Sequence, residues 1–165
     1  TEEALRAINK NSNSIVVFNS NWHKGVVGIV ASRIVETHYK PTIVLYDKDG
    51  ILTGSARSVH GFDLYRAISK CRHLCENFGG HKYAAGLSIK IENLDRFVLE
   101  FEKQVKENIT DRQKTPVINI DMEIKLNDIN DKLIRIIKQF APFGPKNPEP
   151  VFILKLPESL TKLQS

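Results

Sequence analysis

At 165 residues, with 41% apolar and 26% charged side chains, the chain is long enough for one full domain and part of a second, and it needs no disulfide staples to hold a core. Two cysteines exclude a disulfide-rich secreted scaffold, no stretch approaches the roughly 20 apolar residues of a membrane span, and the N-terminus TEEALRAINK lacks the apolar core of a signal peptide. A reducing cytoplasm is the expected compartment, and the net charge of +5, from 24 basic against 19 acidic residues, is compatible with a polyanionic partner without establishing one.

The first residues, Glu2 to Lys10, read as a helical tail before a polar Asn/Ser turn and a short buried strand, SIVVF, at Ser14 to Phe18. In GVVGIVASRIVETHYK, Val26, Val27, Val30, Ile34 and Val35 recur at helical spacing while Ser32, Arg33, Glu36 and Thr37 take the other side, and Pro41 closes the helix. PTIVLYD and ILTGSAR are two extended runs, and the Asp47-Lys48-Asp49-Gly50 segment between them is a hairpin signal. A helix over about Asp63 to Asn77 is predicted from the stripe Leu64, Ala67, Ile68, Cys71, Leu74 and Cys75. Leu87 to Ile91 alternates as a strand, Asn93 is an N-cap signal, and Leu94, Phe97, Val98, Phe101 and Val105 mark another amphipathic helix.

The polar run NITDRQKT, Asn108 to Thr115, reads as a linker. Beyond it come the alternating strand VINIDMEIKL, a helical stripe at Ile129, Leu133, Ile136, Ile137 and Phe140, the proline-rich APFGPKNPEP and the apolar strand VFILKL. Alternating strands and helices predict an α/β layer for residues 1–113, and residues 114–165 read as the start of an interrupted second domain. Because the chain begins with Thr, it is expected to be an excised piece of something larger.

Three segments suit an anion. In Phe78-Gly79-Gly80-His81-Lys82-Tyr83-Ala84-Ala85-Gly86, paired glycines can aim successive amides into one concavity, His81 can donate from its side chain, and Lys82 to Gly86 can open a helical turn. The competing reading is a helix C-cap with Gly79 left-handed, followed by a buried histidine. Ser55 and Arg57, two apart in a strand, would present a hydroxyl and a planar guanidinium side by side, with Gly54 leaving room for a ligand; a surface ion pair is the alternative. His23 and Lys24 flank the start of the Val-rich helix, where free amides and the helix dipole favour anions, unless Trp22 is only a packing residue and His23 a cap.

Metal binding finds less support. In a helix Cys71 and Cys75 share a side while His73 points elsewhere, and no second Cys/His pair completes a zinc site, so no metal ligands are assigned and buried thiols are expected. Asp47 and Asp49 belong to turn chemistry. Nothing clusters carboxylates with histidines for hydrolysis, so the domain reads as a substrate holder without its own catalytic centre.

Taken in order, WHKGVVGIVASRIVE, PTIVLY, GSARS, FGGHKYAAGL and APFGPKNPEPVF resemble the C-terminal half of the RecJ family, 5′ to 3′ single-strand-specific DNA exonucleases of the DHH phosphoesterase superfamily. The likeness runs from about Ser14 to Leu154. Phe78 stands where many relatives carry a third glycine, which fits the RecJ branch. The resemblance implies a DHH-associated domain with a central mixed β-sheet flanked by helices, followed by the truncated start of an OB fold. It implies a parent hydrolase of DNA repair and recombination whose Asp/His centre, loaded with Mn²⁺ or Mg²⁺, lies in a preceding DHH domain. No DHH triplet occurs here, so this piece is expected to bind no cofactor and to be inactive alone. By motif position, Ser55 and Arg57 would contact the 5′-terminal or adjacent phosphate of single-stranded DNA. Gly79, Gly80 and His81 would line the substrate opposite the metals, with His81 steadying the scissile phosphate in a supporting catalytic role, and His23 and Lys24 would assist. Two other readings are an oligonucleotide or cyclic-dinucleotide phosphodiesterase of the same superfamily and a nucleic-acid-binding module of the alanyl-tRNA synthetase type.

Overall fold

The computed structural model describes residues 11–144 and 146–155. The predicted helix at Glu2 to Lys10 lies outside the described residues, as do Pro145 and the last residue of VFILKL. The chain divides into two compact units, residues 1–116 and 117–165.

The first unit is built on five strands in the order β1-β2-β3-β5-β4. Strand β1, Ile15–Phe18, runs through helix α1, Val27–His38, into β2, Thr42–Lys48, and the crossover makes β1 and β2 parallel. All other pairs are antiparallel. Strand β3, Ile51–Arg57, follows β2 through the predicted hairpin, where Asp49 and Gly50 both take positive φ (56° and 82°) and Asp47 accepts the Gly50 amide at 2.8 Å. Tyr39 ends α1 in the left-handed region, with its N–H on the Val35 carbonyl at 2.8 Å.

The helix predicted over 63–77 is much shorter. Asp63 caps α2, Leu64–Lys70, through the Arg66 amide, and a 3-10 turn at Arg72–Leu74 then hands the chain to strand β4, Cys75–His81. Strand β5 is Ala84–Lys90, three residues longer at its start than the sequence pattern indicated. Its pairing with β4 overrides the helical spacing. The helix α3, Leu94–Asn108, lies where expected, but Asn93 offers it no side-chain cap and a 3-10 turn at Ile91–Asn93 leads in instead.

Two apolar layers sandwich the sheet. Helix α1 buries Val27, Ala31 and Ile34 against Ile15, Val17 and Val44 on one face. On the other face α2 and α3 place Leu64, Ile68, Phe97, Phe101 and Val105 against Ile43, Leu45, Leu52, Ala56, Leu87 and Ile89. Glu102 of α3 accepts from the backbone and side chain of both Asn13 and Ser14, which fixes the start of the sheet to this layer. The predicted linker is ordered structure. Ile109 is buried, and Thr110 opens the short helix α4, Asp111–Lys114, with a reciprocal capping box to Gln113.

In the second unit only Met122–Ile124, strand β6, forms from the predicted VINIDMEIKL run, and it pairs in parallel with β7, Phe152–Leu154. Between them Asn130 caps α5, Asp131–Gln139, by accepting from the Leu133 amide at 3.1 Å.

Candidate nucleic-acid interface

Helix α1 covers β1, β2 and the near side of β3, and small or polar residues make the rest of that face. The strand register sets the layout. Arg57 pairs with Ala84, which pairs with His81; Ser55 pairs with Gly86, which pairs with Gly79; Thr53 pairs with Ser88, which pairs with Asn77. Residues on one rung share a face, and so do residues two apart along a strand, so Ser55, Arg57, Gly79 and His81 all belong to one surface. Gly79, Gly86 and His81 are exposed.

Arg57 brings a guanidinium to this surface. Its Nη1 donates to Ser55 Oγ at 2.6 Å and to the Ala56 carbonyl at 2.8 Å. Its outer nitrogen faces α1, since a Cβ placed on Gly28 would lie 3.1 Å from Nη2. No carboxylate pairs with Arg57 among the described residues, so the surface-ion-pair alternative fails. The first turn of α1 has no side-chain cap, and its N-cap Val26 instead donates its own amide to the His23 carbonyl. A fixed cation, a hydroxyl and an uncapped helix start therefore converge, an arrangement whose chemistry suits an anionic oxygen.

The predicted site residues fall into two groups. Lys24, Ser55 and Arg57 line one cleft between α1 and β3. His23 is exposed beside it, its Nδ1 accepting the Gly25 amide at 3.1 Å within a local turn. Gly79 and His81 lie on the open half of the same sheet face, two strands away. His81 Nδ1 accepts the Tyr83 amide at 3.3 Å, which leaves Nε2 to carry the proton and donate outward.

The local geometry of the Gly-Gly-His segment differs from both predicted forms. Gly79 to His81 continue β4, Lys82 and Tyr83 make the hairpin turn, and Ala84 begins β5, so there is no helical turn from Lys82 and no helix cap at Gly79. Successive amides of an extended strand point to opposite sides, so the pair makes no nest. Gly80 has φ +150°, and a Cβ on it would meet the Ala84 carbonyl at 2.3 Å and Ala85 Cα at 2.5 Å. A Cβ on Gly79 would meet nothing within 4 Å. Gly80 thus serves the sheet, and Gly79 leaves the exposed face flat. Gly54 also has a structural role, because a Cβ there would sit 1.9 Å from the Val44 carbonyl.

Sequence reasoning missed Gly28. Its signal was available, since a glycine inside a helix costs about 1 kcal/mol relative to alanine and calls for a compensating reason. Here the reason is the space the guanidinium occupies.

Both cysteines are free thiols, Cys71 buried and Cys75 half-buried. Burial, with Glu100 and Cys75 adding to it, pushes the Cys71 thiol up to about 12, and burial raises Cys75 to about 11. His73 pairs with Glu100 at 3.3 Å. Among the described residues no group of three or more His, Cys, Asp or Glu side chains is placed to hold a metal ion, and no helix is long and apolar enough to cross a membrane.

A family model described as the DHHA1 domain matches residues 11–107. The chain belongs to the DHHA1 family. A second model, described as the RecJ OB domain, matches residues 120–161 of this DHHA1 chain. Among curated proteins it is 36% identical over 155 residues to the single-stranded-DNA-specific exonuclease RecJ of Bacillus subtilis, covering 91% of this chain and 20% of that protein. It is 37% identical to RecJ of Haemophilus influenzae, covering 84% of this chain and 25% of that protein. Among solved structures, Thermus thermophilus RecJ in complex with Mn²⁺ matches with a TM-score of 0.79 at 26% identity, over 93% of this chain and 22% of that one. A Mg²⁺ complex of the same enzyme matches at 0.78. The chain thus spans about a fifth to a quarter of the length of these relatives. The order of a DHHA1 domain followed by a RecJ OB match favours a RecJ-type chain over a short phosphodiesterase.

Proposed function

We propose that this chain is the DNA-gripping part of a RecJ-type single-strand-specific 5′ to 3′ exonuclease acting in DNA repair and recombination. Residues 1–113 hold the phosphates of the strand, and residues 114–165 open an OB fold, a common platform for single strands. The observation that carries the reading is the Arg57 guanidinium, which has no carboxylate partner among the described residues, hydrogen-bonded to Ser55 and set against the uncapped start of α1.

In this reading Arg57, Ser55 and Lys24 take the 5′-terminal phosphate, with His23 nearby. Strands β3 and β4 are separated by β5, so Arg57 and His81 stand about 10 Å apart at backbone level. A strand anchored on Arg57 therefore runs its sugar and next phosphate over the flat Gly86 and Gly79 floor and reaches His81 Nε2. His81 steadies that second phosphate as a hydrogen-bond donor, while Gly80 holds the hairpin that presents it. RecJ structures that contain Mn²⁺ or Mg²⁺ match this chain, yet its described residues do not fit such an ion, so hydrolysis requires ligands contributed from outside them. In this reading the 165 residues alone are expected to be inactive.

The test is Arg57→Ala in the full-length gene product, assayed on single strands with and without a 5′ phosphate. Loss of a charge-assisted pair lowers activity on phosphorylated ends by about ten- to a hundredfold, with little change on unphosphorylated ends. Equal loss on both ends, or none, removes Arg57 from the 5′ site.

A further inference from the structure

The turn that follows His81 carries rings that the core does not use. Lys82 and Tyr83 join β4 to β5, and Tyr83 is 41% exposed. The exposed His60 ring lies beside it, with centroids 6.4 Å apart and planes within 13° of parallel. The Lys82 ammonium stands 5.4 Å from the centre of the Tyr83 ring. Neither His60 nor Lys82 forms an ion pair among the described residues.

The backbone beneath these rings is fixed. The Ser58 amide donates to the Tyr83 carbonyl and the Leu64 amide to the Lys82 carbonyl, each at 3.0 Å, which ties both turn residues to the segment that follows β3. In that segment His60 stands between the buried Val59 and Phe62, Gly61 turns the chain at φ 83°, and Ser58 Oγ donates to the Phe62 carbonyl at 2.9 Å. Val59 and Phe62 anchor the loop on both sides of His60 and leave its ring outside. Rings that stay in water add little to the fold, since their apolar area is not buried. On an anchored backbone they are instead preorganised for a flat partner. The same turn also sets His81, whose Nδ1 accepts the Tyr83 amide at 3.3 Å. Phosphate donor and ring pair therefore belong to one hairpin tip. A single strand carries a flat base next to each phosphate, and aromatic rings stack on any base.

We propose that Tyr83 and His60 form a stacking platform for the nucleobase on the 3′ side of the phosphate held by His81, with Lys82 serving the phosphodiester beyond it. The inference rests on the strand path proposed above, in which the second phosphate reaches His81. It gives the second base of the strand a place at the hairpin tip. The platform is a positioning device: a stacked second base keeps the phosphate in register over His81 whatever the sequence.

Fluorescence of 2-aminopurine, which stacking quenches, tests this. The 165-residue chain is titrated with 5′-phosphorylated oligothymidylates carrying 2-aminopurine at the first, second or fifth position, and anisotropy of a 3′-labelled strand gives the affinity. Quenching on binding is expected at the second position and not at the other two. Tyr83→Leu combined with His60→Ala is expected to remove the quenching and to weaken binding about tenfold, the scale of one lost base–aromatic contact, while Tyr83→Phe keeps both. A strand abasic at its second position is expected to bind wild type and the double variant alike. If the strand binds without quenching at the second base, or the double variant keeps the quenching, the platform falls while the phosphate contacts stand. A double variant that still discriminates the abasic strand also overturns it. If the wild-type chain binds no strand, the phosphate path falls and the platform with it.

Discussion

Gly79 and Gly80 are adjacent, yet the structure assigns them opposite consequences on substitution. At Gly80, alanine must adopt φ +150°, a conformation that costs on the order of 1–3 kcal/mol for a residue with a side chain. Its Cβ would also lie 2.3 Å from the Ala84 carbonyl and 2.5 Å from Ala85 Cα, both backbone atoms of the paired strand β5. Ala85 is buried in the main core, so β5 cannot yield without disturbing Leu87 and Ile89 beside it. Strain and displacement together place the loss for Gly80→Ala at about 3 kcal/mol or more. At Gly79 the added methyl meets nothing within 4 Å and φ is not positive, so Gly79→Ala leaves stability unchanged or raises it by up to about 1 kcal/mol through the unfolded chain. That methyl stands on the floor over which the strand is proposed to pass. Urea denaturation followed by circular dichroism separates the two variants, and fluorescence anisotropy with a labelled single strand measures binding. The expected pattern is a destabilised Gly80→Ala and a stable Gly79→Ala with weakened DNA binding. A Gly80→Ala protein within about 0.5 kcal/mol of wild type would refute the packing argument, and a Gly79→Ala protein with full affinity would refute the floor.

Gly28→Val places side-chain carbon where the Arg57 guanidinium now lies, 3.1 Å from an ideal Cβ; it is expected to reduce preference for 5′-phosphorylated strands as Arg57→Ala does, and an unaltered preference would separate α1 from the site. For Glu102, burial pushes the carboxyl up, but the hydrogen bonds donated by Asn13 and Ser14 outweigh it and hold the pKa below the ordinary 4.5. A depressed folded-state pKa gives stability that is present above the unfolded value and is lost as pH falls through the folded one, so Glu102→Gln flattens the acid limb of the stability curve below about pH 4.5. Identical limbs in the two proteins would dismiss the clasp. The raised thiols, at about 12 for Cys71 and about 11 for Cys75, predict that iodoacetamide at pH 8 labels the native chain about a hundredfold more slowly than the urea-unfolded chain. Rapid native labelling, read by mass spectrometry, would show that burial does not protect them.

Elements whose signal is local were legible in the sequence. The Asp49-Gly50 hairpin, the apolar stripe of α1 and that of α3 each carry their period or turn chemistry within a few residues. The segment from Cys71 to Asn77 did not, because Leu74 and Cys75 continue a helical spacing and also fit the start of a strand. What decides between them is pairing with β5, a contact that exists only once Gly80 lets the two backbones close. The site divides in the same way. Ser55 and Arg57 could be placed side by side from the period of one strand, and their hydrogen bond follows from it. That His81 falls on the rung of Arg57, and Gly79 on the rung of Ser55, depends on registers across three strands that no local pattern encodes. The glycines show the limit most clearly. Four positions drawn from segments tied to anion chemistry have four different physical reasons: Gly28 clears the guanidinium, Gly54 admits the β2 carbonyl, Gly80 closes the hairpin and Gly79 opens the floor. Only the last keeps space for a ligand, so a cluster of glycines locates a close approach without saying what approaches.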